Sequence, residues 1–143
     1  MSTSRSKQQL TQWLQRNDWA MHIAASEAVD TTDALKEGVP EIGRTQFRAI
    51  LNTARVCDNP KTFKRFLDKR RKRREKEARN SNRSFLKKKA AFWGELMSQL
   101  RTAGDHARTA ADTVGDLSKS DQMRVVEVYF THLIAHCQLR SKG

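Results

Sequence analysis

Apolar residues recur at three- and four-residue spacing through most of the chain and nowhere alternate long enough for a strand, so the pattern predicts an all-α protein. Residues 1–6 read as a disordered lead. Leu10, Trp13 and Leu14 mark a first helix from Lys7, and Asn17 and Asp18 are residue types that end one helix and cap the next. A second helix carrying Trp19, Met21, Ile23 and Val29 is therefore predicted. KEGVPEIG at 36–43, with two Gly and a Pro, is the clearest loop. Beyond it, Thr45 is placed as the N-cap of a helix through TQFRAILNTARVC, in which Phe47, Ile50, Leu51 and Ala54 share one face. Asn59 followed by Pro60 is a stronger start signal, because Pro lacks the amide that the first turn leaves without a partner.

The helix that starts there changes character along its length. Phe63, Phe66 and Leu67 supply an apolar face for two turns; Arg70 and Arg74 then occupy the same face, and basic residues surround the axis. Such a helix is expected to project as an arm or to lie as a ridge against something charged. NSNRS at 80–84 reads as a break with Ser84 as cap, followed by a helix lined by Leu86, Ala90, Trp93, Leu96, Met97 and Leu100. Gly104 and Asp105 suggest its end, and HARTAADTV a short helix before Gly115. Ser118 or Ser120 opens the last helix, whose main stripe is Met123, Val126, Phe130, Leu133 and Cys137. A second apolar set, Val125, Val128, Tyr129 and Leu139, requires that either the bundle wraps this helix or a neighbouring copy covers it. The expected fold is one all-α domain over residues 7–143, a compact bundle of five to six helices with a basic arm or ridge.

Charge changes the picture. The chain carries 28 Lys and Arg against 16 Asp and Glu, a formal net charge of +12. Between Lys61 and Lys89 there are 15 basic residues and three acids, so the whole excess belongs to one segment. Like charges three and four residues apart destabilise a bare helix, and an anionic partner would relieve that repulsion. A solvated face, a localisation signal and an acidic membrane surface compete with this reading, but the apolar face that a membrane helix needs is missing beyond Leu67. Arg44, Arg48 and Arg55 form a second ridge, within about 40° of one another on their helix, and guanidinium groups grip phosphate in a two-pronged way. The candidate nucleic-acid-binding residues are Arg44, Arg48, Arg55, Lys64, Arg65, Lys69, Arg70, Arg71, Arg73, Arg74, Arg79, Lys87 and Lys88. Most of the ten aromatic residues fall on apolar stripes, leaving no stacking platform, so the expected grip is on the backbone and indifferent to bases.

Other chemistry is sparse. HLIAH places His132 and His136 four apart, a metal-binding spacing, but without the Glu of a hydrolytic motif or an evident third ligand, and no metal is expected. There is no Gly-rich phosphate loop, nucleophile elbow or isolated acid pair, so neither an enzyme nor a cofactor is expected. Cys57 and Cys137 lack a pairing pattern and read as reduced thiols. Without a signal peptide or a long apolar run, the chain is read as a soluble cytoplasmic protein.

RTQFRAILNTAR, the basic helix after it and the C-terminal YFTHLIAHCQLRSK together resemble the small subunit of type III CRISPR–Cas effector complexes. Gln46, Arg48 and Leu51 match that family's Q-x-R-x-x-L helix; Tyr129, Phe130, Leu133, Ile134, Ala135 and His136 match its aromatic-rich last helix. The resemblance implies a non-catalytic, all-helical prokaryotic subunit that stacks beside further copies of itself and other effector subunits. It also implies a positive channel holding guide RNA and target nucleic acid, with Arg48 as the matched contact and no membrane partner. Two other expectations stand beside it: a free RNA chaperone of plasmid or phage type using residues 61–79 as a mobile arm, and an adaptor for an acidic protein.

Overall fold

Asn59 starts the most highly charged helix as its sequence requires: its Oδ1 accepts the backbone N–H of Thr62 at 3.0 Å, with Pro60 at the first helical position. The computed structural model describes residues 4–37 and 42–141. These form six helices: α1 (Ser4–Thr31), α2 (Asp33–Glu37), α3 (Arg44–Val56), α4 (Pro60–Arg79), α5 (Ser84–Val114) and α6 (Lys119–Ser141), with no strand among the described residues.

α6 is the axis of the bundle. It touches each of the other five helices, which explains its two apolar sides: the bundle wraps it. Met123, Val126, Phe130, Leu133 and Cys137 are all fully buried, and so are Val125 and Tyr129 from the second set, while Leu139 stays 62% exposed. Phe130 packs edge-on against Phe63 of α4 at 5.0 Å and lies beside Tyr129. The Tyr129 hydroxyl donates to Gln99 Oε1 at 2.5 Å, a hydrogen bond that satisfies the phenol inside the core. Burial pushes that phenol up to about 12 and the Cys137 thiol likewise to about 12; Cys57 and Cys137 are both free and buried.

α1 and α6 run parallel, joined along their solvent edge by a polar ladder. Asp18 meets His132 at 2.8 Å, His22 meets His136 at 3.2 Å, and Arg140 binds Asp30 at 2.7 Å and Ser26 at 3.2 Å. Asn17 and Asp18 therefore do not break the N-terminal helix. Asn17 instead donates back to the carbonyl of Trp13 at 2.8 Å inside a continuous 28-residue α1. That helix begins at Ser4, earlier than the predicted Lys7, and Ser6 is buried; residues 1–3 lie outside the described residues.

Other boundaries also shift. Gly43, not Thr45, is the N-cap of α3. Arg83 takes the cap position before α5, with its N–H donating to Ser81 Oγ, and Ser84 is already helical. α5 runs straight through Gly104 and Asp105 to Gly115, whose positive φ of 75° is where the chain turns. Ser118 and Asp121 exchange side-chain to backbone hydrogen bonds at the start of α6, so Ser118 caps and Ser120 lies inside. Of the predicted 36–43 loop, Lys36 and Glu37 belong to α2, and 38–41 lie outside the described residues.

One tie positions α3 and α4 on this frame. The Arg124 guanidinium of α6 donates to the carbonyls of Ala54, Arg55 and Cys57, closing the C-terminus of α3 just before the turn into α4.

Candidate nucleic-acid interface

α4 does not project. It lies antiparallel along α5, in the most extensive helix pairing of the fold, with Phe63 and Leu67 fully buried. The basic feature is thus a fixed ridge rather than an arm. The apolar turns dock it, and Arg70, Arg71 and Arg74 extend the docking face as the pattern Phe63–Phe66–Leu67–Arg70–Arg74 implies.

These inward arginines have protein partners. Arg70 donates to Gln46 of α3 at 2.8 Å and lies over the Phe66 ring at 5.1 Å. Arg71 binds Asp68 and Glu75, Lys72 also binds Asp68, and Arg74 binds Glu77. Arg74 keeps only 14% of its side chain exposed, and its Nε is buried without a partner. Hydrogen bonds from Arg71 and then Lys72 hold the Asp68 carboxyl below its ordinary 3.8. All three acids of the basic segment are consequently engaged, and the self-repulsion expected from the sequence is relieved locally around α4's inner face.

The outer face keeps its charge for solvent. Arg65, Lys69, Arg73, Lys76 and Arg79 are exposed and have no hydrogen bond or ion pair among the described residues. Arg65, Lys69, Lys72 and Lys76 recur at three- and four-residue spacing, which sets them in one row along the helix. Lys64 is exposed on the flank facing α5, and Lys87 and Lys88 are exposed in the first turns of α5. On α3, Arg44, Arg48 and Arg55 all point to solvent; Arg55 donates to Asn52 at 3.0 Å, and no bond among the described residues joins these three to the α4 set.

Side chains absent from the sequence-based set complete the surface. A cavity of about 680 Å³ between α4 and α5 is lined by Lys61, Lys64, Arg71 and Arg101, and a second of about 730 Å³ by Lys61, Arg65, Arg108 and Lys119. The two share Pro60 and Lys61 in their walls. The heptad spacing of Gly94, Arg101 and Arg108 is the signal that places these positions on one side of α5.

His132 and His136 belong instead to the α1–α6 ladder. Among the described residues no group of three or more His, Cys, Asp or Glu side chains is arranged to hold a metal ion. His136 is 8% exposed, and burial, followed by His22, Arg140 and His132, holds it below its ordinary 6.5 against the opposing effect of Asp30. Burial lowers His106 in the same direction, against Asp105. A lowered folded value means the unfolded chain binds more protons, so stability is highest above 6.5 and falls as pH drops through that value toward the folded one. Thermal melts between about pH 7.5 and 5.5 should show a falling Tm, with a shallower fall in His136→Gln. A Tm independent of pH across that window would contradict the neutral, buried assignment.

Trp13 is core, whereas Trp19 is 70% exposed and stacks on His22 at 5.0 Å. Among the described residues no helix is long and apolar enough to cross a membrane. Compared with protein-family models, curated proteins and solved structures, the chain matches none of them.

Proposed function

We propose that this chain is a non-catalytic nucleic-acid-binding subunit that holds a sugar-phosphate backbone on the outer face of α4 and the neighbouring turns of α5. The observation that carries this reading is the division of charge on α4. Every acid in the segment is used by Arg71, Lys72 or Arg74, while Arg65, Lys69, Arg73, Lys76 and Arg79 stay exposed on the outward face with no partner among the described residues. A rigid row of cations on an otherwise charge-balanced body suits a regular polyanion, whose counterions are released on contact. The Q-x-R-x-x-L and aromatic-helix resemblance supports assigning the subunit to a type III CRISPR–Cas effector ribonucleoprotein, with guide and target RNA as the strands held. The docking of α4 along α5 favours a fixed scaffold over a chaperone with a mobile arm.

Purification of the tagged chain from cells that encode it tests this assignment. Guide RNA and larger effector subunits are expected to co-elute, and the chain alone should bind RNA in a salt-sensitive way. Capture of acidic proteins that survives nuclease treatment, with no RNA retained, would make it an adaptor and overturn the proposal.

A further inference from the structure

We infer that the α4–α5 seam is a trough for one single strand of nucleic acid, entered from the side of Lys61 and floored by the backbone of α5. This rests on the reading of the basic surface as a phosphate-binding one and adds, beside the outer row, a recess into which a strand held there descends. Two adjoining cavities, about 680 and 730 Å³, form the trough and meet at Pro60 and Lys61. Cations stand on both walls: Lys61, Lys64 and Arg65 from α4, Arg101 and Arg108 from α5, and Lys119 at the start of α6. The acids in the walls are Glu75, already held by Arg71 at 3.0 Å, and Asp58; Arg108 has only a loose contact to Asp105 at 3.4 Å.

Two glycines supply a separate observation. Gly94 lines the first cavity and Gly104 the second, both in the interior of the 31-residue α5. Apart from proline, glycine is the residue least favoured in a helix interior, and it is kept there when something must approach the backbone closely. No other described part of the chain does so: a Cβ built at either position meets nothing within 4 Å, and neither glycine has a positive φ. The missing side chains open onto the trough. Ten residues of helix separate them, about 15 Å along the axis.

The spacing of packed helices favours a single strand. Helices in contact have axes about 8–10 Å apart, well under the breadth of a duplex, whose major groove alone is roughly 12 Å wide. A duplex would rest on the outer rim, whereas one strand can descend between Lys64 and Arg101 and carry its phosphates past the α5 backbone.

A neutral obstruction tests the trough without altering the charge. Gly94→Gln and Gly104→Gln, singly and together, are read by fluorescence anisotropy against single-stranded and duplex RNA of the same sequence, with circular dichroism as the folding control. The double variant should fold, bind single-stranded RNA at least about tenfold more weakly, and bind duplex nearly as wild type does. Gly94→Ala and Gly104→Ala keep the question open to measurement should the larger side chains disturb the bundle: Tm should rise, with a smaller loss of single-strand affinity. Unchanged single-strand binding in folded variants overturns the trough and leaves the outer ridge as the seat. Equal losses for single strand and duplex overturn the strand selection. If charge reversal on the outer face of α4 also leaves binding unchanged, the underlying phosphate-binding reading fails with it.

Discussion

Replacing Arg65, Lys69, Arg73 and Lys76 together with Glu is expected to weaken RNA binding by on the order of a hundredfold or more while the bundle stays folded. The four side chains are exposed and make no hydrogen bond or ion pair among the described residues, so their loss removes nothing that holds α4 in place. Putting carboxylates beside a phosphate strand replaces attraction with repulsion. The dependence of log K on log salt should become shallower by about 3, at roughly 0.7 per lost contact on a single strand. The inward Arg74 should behave in the opposite way. Arg74→Met removes the partner that holds the half-exposed Glu77 carboxylate, so the melting temperature should fall while RNA affinity changes little. Anisotropy titrations and thermal melts on the same preparations separate the two effects. If the outward set leaves affinity unchanged, the surface row does not touch RNA.

Trp93→Ala is expected to cost about 3–5 kcal/mol of stability, a large part of the roughly 5–15 kcal/mol that holds a domain together. The side chain is fully buried on the inner face of α5 and packs edge-on against Phe92 at 6.4 Å. Its removal leaves a cavity that the bundle, built around α6, cannot close by moving one helix. Trp93→Phe should retain most of the stability, because the indole Nε1 is buried without a hydrogen-bond partner and phenylalanine removes that unsatisfied donor. Urea titration with linear extrapolation checks both variants. A loss below about 1 kcal/mol for Trp93→Ala would mean that the inner face of α5 does not anchor the platform on which the trough lies.

Helical class, the Asn59–Pro60 start and the buried stripe of α6 were legible because each follows from local chemistry: a missing amide, a capping oxygen, a 3.6-residue period. The breaks assigned at Asn17–Asp18 and Gly104–Asp105 were not breaks. Asn17 returns its donor to Trp13, Asp18 is taken by His132 from a helix 114 residues away, and Gly104 stays helical with space around it. Tertiary partners override local preference at such positions, and one chain read in isolation does not reveal them. The candidate site was legible in the same degree. Net charge located the segment, but the division between Arg74, turned inward onto Glu77, and Lys76, turned outward, depends on how α4 rolls against α5. Arg101, Arg108 and Lys119 were overlooked because they lie where charge balances along the sequence; only the packing of α4 on α5 and α6 brings them to Lys61.

The most direct measurement is the salt dependence of RNA binding by the unmodified chain, taken with two RNAs of unrelated sequence. A strand held by several Lys and Arg through its phosphates should give a log K against log salt slope of about −3 or steeper, with the same value for both RNAs. A slope near zero, or affinity that follows base sequence at constant slope, would contradict the claim that this surface holds a sugar-phosphate backbone.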